Sequence, residues 1–265
     1  MNNKPAKPFL EQRRDRRKLL RAALVGFASG TLAGCDALTQ DDTAVQVLRS
    51  AESLSQGVQR ALGRRAMAQE FPASAAAPVF RANGTTMPAG DDYAHMVANG
   101  FADWRLKVDG LVANPQEFTL AQLRAMPSRT QVTRHDCVEG WSCIGQWQGV
   151  RLSHILGMAQ PKPEARYVVF HCLDQMDDDD EDSTYYESID MDDALHEQTL
   201  LAYELNGKPL PVENGAPLRA RIERQLGYKQ PKYLHRIELV TDFAKIAGGR
   251  GGYWEDQGYN WYGGI

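Results

Sequence analysis

The sequence predicts an α+β fold, with one mixed, strand-rich domain over residues 79–265. Many short runs alternate apolar and polar side chains, as half-buried strands do, and the helical runs are few and short. Helices and strands do not alternate regularly along the chain, which argues against a doubly wound parallel sheet. At 265 residues the chain is long enough for one large domain, or two small ones, with a sizeable core.

Composition excludes two classes of protein. The chain is 43% hydrophobic and 24% charged, and its formal net charge is -4 at pH 7. This mild acidity provides no electrostatic basis for binding nucleic acid, so no nucleic-acid partner is expected. No apolar run reaches the roughly 18 residues of a membrane-spanning helix, so we expect none.

The first 35 residues have the features of an export signal. Arg16 and Arg17 follow a basic region, a modestly apolar stretch comes next, and Leu32-Ala-Gly-Cys35 resembles the bacterial lipobox. We therefore expect a periplasmic protein exported by the twin-arginine route and held at the inner membrane by a lipid anchor on Cys35. Asp36 resembles the residue that retains such lipoproteins there. The alternative is a basic amphipathic helix at the start of a cytoplasmic protein.

Residues 36–78 are expected to form a tether between that anchor and the domain. They are rich in Ala, Ser, Gln and Arg, and Phe71–Pro78 is typical of a linker. Val45–Leu62 is expected to form one surface helix. Ordered structure is then expected to begin near Val79.

The first half of the domain contains two predicted strands and two predicted helices. Trp104–Gly110 alternates and ends on Asp-Gly, which is typical of a strand running into a turn. Thr119–Met126 is amphipathic, with Thr119 as its N-cap and Pro127 as its stop, and is predicted to be a helix. Thr130–Thr133 is a short strand that leads into an irregular segment, and Leu152–Gly157 is a helix that ends in Gly.

The second half is predicted to consist mainly of strands. Tyr167–Cys172 is an apolar run typical of a buried strand. Asn206–Gly207 favours a tight hairpin turn. The tail from Gly248 has no periodicity, and the acidic run Asp177–Asp182 is expected to be a solvated loop. The remaining predictions are a helical turn at Met191–His196 and strands at Leu200–Tyr203, Leu218–Arg224 and His235–Val240.

The stretch Arg134–Cys143 is the densest in reactive side chains. Its ten residues hold a central thiol, Cys137, with an imidazole, a guanidinium, two carboxylates and an indole. Such groups are costly to bury unless a ligand or partner satisfies them. A nucleophilic Cys137 would need a positioned base and an orienting partner, so these residues alone leave nucleophile and metal ligand equally attractive. The candidate bases are His135, His154 and His171.

Cysteine number adds a constraint. Without Cys35, three cysteines remain, so in an oxidising compartment at least one thiol is free or bound to a ligand. No Cys-x-x-Cys-His motif occurs, so no c-type haem is expected in this chain, and no spacing indicates a zinc site.

A second cluster lies far along the chain. Asn214–Arg219 and Leu226–Lys232 combine turn residues with three cations and an amide. Lys and Arg beside Gly-containing turns can hold a phosphate through charge and backbone N–H groups together. The alternative is a pair of solvated β-turns.

Taken together, these segments resemble the sulfite oxidase family. Arg134-His-Asp-Cys-Val-Glu-Gly-Trp-Ser142, Asn214-Gly-Ala-Pro-Leu-Arg219 and Gly227-Tyr-Lys-Gln-Pro-Lys232 match its motifs in order, within a likeness from about Phe80 to the C-terminus. Its members are mononuclear molybdenum enzymes, among them the catalytic subunit of a periplasmic methionine sulfoxide reductase. The resemblance implies the family's molybdopterin-binding fold and a molybdenum–molybdopterin cofactor.

The resemblance also implies roles for individual residues. Cys137 would be the thiolate ligand of molybdenum, and Arg81 would face the oxo group and an anionic substrate. Either Tyr253 and Trp254 together, or Tyr259, would supply an aromatic wall and a phenol beside the metal. His135, Asp136 and Glu139 would then support the site without acting as acids or bases. The cofactor contacts are expected from Asn83, Cys172 (where the reductase subunit has Thr), Asn214, Arg219, Gln230, Pro231 and Lys232.

The implied reaction is two-electron oxygen-atom transfer on a small substrate, either sulfite-like oxidation or sulfoxide-like reduction. Without haem of its own, the chain would exchange electrons with an external carrier, a c-type cytochrome or a membrane haem protein. Two other functions stay open at this point: a cofactor-free periplasmic binding protein and a hydrolase with a cysteine nucleophile.

Overall fold

A computed structural model describes residues 42–63, 66–177 and 183–265. Residues 42–57 form a unit of their own, the first part of helix α1 (Asp42–Gly63), and the domain runs from Val58 to Ile265. The predicted export signal lies outside the described residues, as does the acidic run after Asp177. No helix within the described ranges is long and apolar enough to cross a membrane.

The domain has the predicted α+β composition. Three single-turn 3₁₀ helices occupy Ala73–Ala75, Val212–Asn214 and Gly227–Lys229. Its α-helices are α2 (Asp91–Ala98), α3 (Leu120–Ala125), α4 (Leu152–Ala159), α5 (Met191–Ala194) and α6 (Tyr253–Asp256). Its strands are β1 (Arg105–Gly110), β2 (Gln116–Thr119), β3 (Ser128–Cys137), β4 (Trp141–Arg151), β5 (Tyr167–Gln175), β6 (Thr184–Asp190), β7 (Leu200–Leu205), β8 (Lys208–Pro209), β9 (Arg219–Arg221) and β10 (Leu234–Val240).

The strands form two five-stranded sheets that share a core. The first has the order β2-β1-β10-β5-β6, in which β1 and β10 are parallel and the other pairs antiparallel. The second has the order β3-β4-β7-β8, with β9 also paired to β7. One apolar cluster takes Val108 and Val168 from the first sheet and Val150 and Leu201 from the second. The main core therefore lies between the sheets.

The predicted elements are present, several with wider bounds. The strand at Tyr167 extends to Gln175, and helix α4 continues past Gly157 to Ala159. Asn206 and Gly207 have φ of 52° and 72° and join β7 to β8, as the hairpin signal predicted. The predicted strand from Leu218 is shorter, because only Arg219–Arg221 pair with β7. Helix α2 and strands β2, β4 and β6 were not predicted.

Packing of the domain begins before Val79. Arg60, near the end of α1, donates hydrogen bonds to Asp190 and Asp193 at 2.7–3.0 Å. Further along, the Phe71 N–H donates to the Val132 carbonyl at 2.9 Å. These contacts place the region expected to be a linker against strand β3 and helix α5.

The segment around Cys137 is regular, contrary to the prediction of an irregular stretch. Strands β3 and β4 pair from Ser128 and Val150 to Cys137 and Trp141, so the thiol ends a strand at the tip of a hairpin. The buried face of β3 consists of Gln131, Thr133 and His135, which are 1%, 0% and 0% exposed. Because this buried face is polar, the hydrophobic alternation that identifies a strand in a sequence is missing.

The hairpin is held to β7 by a close backbone approach at Gly149. The register of β4 on β7 shifts between Gln148 and Gly149, and a Cβ on Gly149 would lie 2.1 Å from the carbonyl oxygen of Leu201. No side chain fits at that distance, so β7 positions the strand that supports the Cys137 hairpin.

Substituting Gly149→Ala tests this approach. The added methyl must push β4 away from β7, so we expect the free energy of unfolding to fall by about 3 kcal/mol. Gly157→Ala is the matched control, because a Cβ at Gly157 of α4 meets nothing within 4 Å. That change should raise stability by up to about 1 kcal/mol through helix propensity. Urea unfolding measures the free energy of unfolding of both variants. Equal changes in the two variants would contradict this account of β4.

Candidate active site

A cavity of about 210 Å³ lies at the tip of the β3–β4 hairpin. Its walls come from the hairpin turn, the segment before α2, the ends of β5 and β6, the turn after β9, and the C-terminal tail. The lining residues are Asn83, Gly84, Thr85, Cys137, Val138, Glu139, Asp174, Met176, Tyr185, Gly227, Tyr228, Gln230, Pro231, Lys232, Trp254 and Tyr259.

The Cys137 thiol opens into this cavity from the end of β3. Burial raises its pKa above the ordinary value, and hydrogen bonds from the backbone of Glu139 and Val138 oppose that shift. The protein alone therefore favours the protonated thiol. Coordination to a metal deprotonates a thiol outright, so a metal ligand is the role in which this sulfur would be ionised.

The imidazole of His135 is buried beside the thiol and held in one tautomer. Arg221 Nη1 donates to Nδ1 of His135 at 2.9 Å, and because arginine has no acceptor, the ring proton must be on Nε2. Glu223 in turn accepts from Arg221 at 3.0 and 2.6 Å. Burial, and then the Arg221 charge, lowers the pKa of His135 well below its usual range. His135 is therefore a neutral support of the hairpin.

The guanidinium of Arg219 is buried without a carboxylate partner among the described residues. It is 1% exposed, and it donates to the carbonyls of Asn214 at 3.0 Å and Gln230 at 3.2 Å. It also lies 5.0 Å from the ring centroid of Trp147, whose ring is 4.4 Å from Arg221 as well. Burial, and then the charge of Arg221, lowers the pKa of Arg219 to about 9. An anion beside Arg219 would offset both the cost of burying its charge and the repulsion from Arg221.

Lys232 links three separate parts of the chain. Its Nζ donates to the carbonyl of Asn83 at 2.6 Å, to that of Thr85, and to that of Glu213 at 3.3 Å. The turn at Gly215 packs directly on it, because a Cβ there would lie 2.7 Å from the Lys232 Cβ. The segments Asn214–Arg219 and Leu226–Lys232 therefore lie in contact, as their predicted joint role in holding a phosphate requires.

The residues present fit a molybdopterin. Asn214 Nδ2 and Arg219 Nε are buried and have no hydrogen-bond partner within the described ranges. With the Lys232 ammonium nearby, they provide donors suited to an anionic phosphate and a polar ring. Cys137 provides the soft sulfur that a molybdenum ion would accept.

Asp174 and Lys232 are opposite charges on the wall of one cavity. Burial raises the pKa of Asp174 to about 6, and the charge of Lys232 opposes this shift. Burial, and then the charge of Arg219, lowers the pKa of Lys232 to about 7. Each group is therefore poised to exchange a proton near neutral pH.

The mouth of the cavity has aromatic and apolar side chains beside one exposed carboxylate, Glu139. Tyr259 and Val138 are 42% and 46% exposed, and the rings of Trp254 and Tyr259 lie 5.3 Å apart. Deeper in the cavity, the Tyr185 hydroxyl donates to the Tyr228 carbonyl at 2.5 Å. The surface that a substrate would meet first is therefore mainly aromatic and apolar.

The structure collects much of the predicted site but not all of it. Arg219 lies behind the lining, bonded to Gln230, and Asn214 lines a second cavity of about 420 Å³ with Phe80. The predicted residues that line the first cavity are Asn83, Cys137, Gln230, Pro231 and Lys232, together with Trp254 and Tyr259.

Three further predicted residues lie outside that lining. Cys172 is 1% exposed and packs in the main core, because its position on β5 faces the apolar side. Tyr253 lines a separate groove with Tyr186. Arg81 stacks over Trp141, with its guanidinium carbon 4.8 Å from the ring centroid.

Sequence reasoning missed Asp174 and Tyr185. Asp174 is a single carboxylate near the end of a buried strand, a position at which functional side chains often occur. Tyr185 lies just after the acidic run, on a strand that was not predicted. The phenols that line the cavity are those of Tyr185, Tyr228 and Tyr259, so of the two predicted tyrosines Tyr259 lies in the lining and Tyr253 does not.

A cysteine nucleophile receives no support from this geometry. His135 is neutral with Nδ1 already bound to Arg221, and His171 is bound to Glu238 at 2.9 Å. No hydrogen bond within the described ranges joins an imidazole to the Cys137 sulfur. The base that a nucleophile requires is thus not in place.

The chain is similar to known proteins over most of its length. A family model described as an oxidoreductase molybdopterin-binding domain matches residues 94–245. A protein of Azospira oryzae, provisionally named protein-methionine-sulfoxide reductase subunit YedZ1, is 37% identical over 255 residues, which cover 94% of this chain and 87% of that protein.

Two further similarities are partial. The protein-methionine-sulfoxide reductase catalytic subunit MsrP of Ralstonia nicotianae is 36% identical over 144 residues, 52% of this chain and 44% of that protein. The crystal structure of the sulfane dehydrogenase SoxCD from Paracoccus pantotrophus matches with a TM-score of 0.49 at 21% identity, covering 68% of this chain and 46% of that chain.

The neutral, buried state of His135 predicts a specific pH dependence. Since its pKa is lower in the folded than in the unfolded protein, its contribution to stability is complete above about pH 6.5 and is lost on acidification. The unfolding free energy of the wild type, minus that of His135→Asn, should fall by about 1 kcal/mol per pH unit below that point. Urea unfolding between pH 7.5 and 4.5 measures it, and a pH-independent difference would contradict a neutral His135.

Proposed function

The chain belongs to the family of oxidoreductases with a molybdopterin-binding domain, and on that premise we propose that it reduces organic sulfoxides at a molybdenum bound by Cys137. Membership confirms the predicted enzyme class, the molybdopterin cofactor and oxygen-atom transfer on a small substrate. The direction of reaction and the kind of substrate form the proposal. The aromatic, apolar mouth of the cavity is the observation that carries it.

In this proposal, the residues of the site divide the task of holding the cofactor. The thiolate of Cys137 binds the metal at one end, and the cations Arg219 and Lys232 hold the phosphate. When bound, molybdenum–molybdopterin supplies the two-electron oxygen-atom transfer. The neutral His135 and the Arg221–Glu223 pair keep the hairpin that carries the thiol in place.

The charges of the cavity favour a sulfoxide over sulfite. Sulfite is a small anion, and its oxidation calls for cations aimed at the reacting oxygen. Within the described ranges, Lys232 is the cation that lines the cavity, and in this proposal it holds the phosphate of the cofactor and not the substrate. Arg81 lies over Trp141, outside the lining. An uncharged sulfoxide with organic groups would instead pack against Trp254 and Tyr259.

The reaction requires protons as well as electrons. Breaking the sulfur–oxygen bond of a sulfoxide to give a thioether and water consumes two electrons and two protons. Asp174, whose pKa is about 6, is the lining carboxyl placed to hand protons into the cavity near neutral pH. The buried phenol of Tyr185 donates to the Tyr228 carbonyl and would fix the cavity wall beside the substrate.

The electrons come from a partner in this proposal. An external haem protein, either a membrane haem protein or a c-type cytochrome, would deliver them one at a time. The two relatives named as subunits of protein-methionine-sulfoxide reductase support methionine sulfoxide in proteins as a substrate. Export by the twin-arginine route and a lipid on Cys35 would place the enzyme in the periplasm, at the inner membrane. This part of the proposal rests on the N-terminal motifs alone.

A substrate comparison tests the proposed direction. Protein purified with its own signal should reduce methyl phenyl sulfoxide with a reduced viologen as donor. It should oxidise sulfite with ferricyanide at a kcat/KM at least about tenfold lower. Trp254→Ala should raise KM for the aryl sulfoxide about fivefold by removing part of the wall. Leu195→Ala, which trims an exposed apolar side chain elsewhere, is the control.

Two outcomes would contradict the proposal. Faster oxidation of sulfite than reduction of any sulfoxide would reverse the direction. Equal KM values for Trp254→Ala and Leu195→Ala would remove the aromatic mouth from substrate binding.

The phosphate contacts have their own test. Arg219→Ala and Lys232→Ala each remove a buried cation, so we expect each to lower the molybdopterin content of the purified protein at least about fivefold. Lys107→Ala removes the same charge from a side chain that is 58% exposed and remote from the cavity, and should leave the content unchanged. Pterin fluorescence after oxidation of the released cofactor measures it. Full content in both cavity variants would show that neither cation holds the phosphate.

A further inference from the structure

A buried cluster of charges, the Lys229 cluster, lies beside the cavity and consists of Lys229, Glu187 and Glu255. The three side chains are 1%, 0% and 1% exposed. Lys229 Nζ donates to Glu255 Oε1 at 2.6 Å and also to Glu187 Oε1. Lys229 is one of the three cations that the sequence associated with a phosphate. In the structure its ammonium is bound by carboxylates instead. Charges so deeply buried are tolerated only when their geometry is well defined.

Each member of the cluster comes from a different element and stands next to the cavity wall. Lys229 belongs to the 3₁₀ turn Gly227–Lys229, Glu187 to β6 and Glu255 to α6. Residues two apart on a strand point to the same face, and residues next to each other in sequence move together because they are joined by the backbone. The neighbouring lining residues are Tyr185 for Glu187, Tyr228 and Gln230 for Lys229, and Trp254 for Glu255.

The glycine-rich tail is fixed to β6 at the same place. Gly252 pairs with Glu187, and a Cβ on Gly252 would lie 2.7 Å from Glu187 Oε1. Trp261 Nε1 donates to Ser188 Oγ at 2.8 Å. The tail therefore has no room to move relative to β6 while the cluster is intact.

The cluster acts through geometry more than through net charge. It has one ammonium for two carboxylates, and burial raises the pKa of Glu187 well above its usual range, against the effect of Lys229. Glu187 Oε1 accepts from Lys229 and from the Ser188 N–H, so these contacts fix the orientation of its carboxyl group.

We propose that the Lys229 cluster is a positioning centre that sets the width of the substrate mouth. It joins the cofactor-binding turn, the strand that carries Tyr185 and the tail that carries Trp254 at one buried point. None of its atoms lines the cavity, so its effect passes through these neighbours. The effect on substrate rests on the proposed sulfoxide reduction, whereas the mechanical coupling of the three elements does not.

Hydrogen exchange of the purified holoenzyme tests the coupling. Glu255→Gln keeps the size of the side chain but removes its charge, and Lys229→Met removes the ammonium. In each, amide exchange should accelerate at least about tenfold in both 226–230 and 252–259. Asp109→Asn is the matched control, because Asp109 pairs with Lys107 and Arg236 in an ion cluster away from the cavity. It should leave both segments unchanged.

Kinetics supply the second readout. In Glu255→Gln we expect KM for methyl phenyl sulfoxide to rise about tenfold while kcat stays within about twofold and the molybdopterin content is retained. Faster exchange confined to the substituted element, or a fall in kcat at unchanged KM, would overturn the proposal. Coupled exchange in a protein that reduces no sulfoxide would refute the proposed function and leave the positioning role intact. If Lys229→Met does not fold, Glu255→Gln decides alone.

Discussion

Two buried cations constrain this molecule more than any other feature. Arg219 and Lys232 are removed from water, where a charge is costly unless a counter-charge or a full set of acceptors surrounds it. Both are bound by backbone carbonyls, and these carbonyls belong to segments far apart in sequence, at Asn83, Glu213 and Gln230. Satisfying the cations therefore folds these segments around one point. The same point is where an anionic cofactor would be bound, so stability and cofactor binding depend on the same contacts.

The Cys137 hairpin is built on a related principle. Its buried face is polar, and Gln131 and His135 are joined in series, with Gln131 and Arg221 both donating to Glu223 and Arg221 also donating to His135. A connected polar network of this kind favours one arrangement of its members. The thiol at the end of β3 is thereby placed by contacts that are not themselves reactive. On the other side of the cavity, the Lys229 cluster has a comparable role.

How much the sequence predicted depended on the kind of signal. Strands with apolar alternation, such as β1 and β10, were predicted correctly, as was the Asn206–Gly207 turn, because these signals are local. Strand β3 was predicted only over Thr130–Thr133, and its continuation to Cys137 was missed because the buried His135 is polar. In the site, motif residues such as Cys137 and Lys232 could be identified from the resemblance. Residues that reach the cavity only through the fold could not: Glu187 and Glu255 are 68 positions apart and meet through Lys229.

The assignment of Cys137 as the metal ligand is the central claim, since the roles of the cations and of the aromatic mouth are defined relative to it. X-ray absorption at the molybdenum edge, on wild-type protein and on Cys137→Ser, tests it most directly. We expect the wild-type metal to have one more sulfur ligand than the metal of the variant, with the pterin retained by Arg219 and Lys232. The same number of sulfur ligands in both proteins would contradict the assignment.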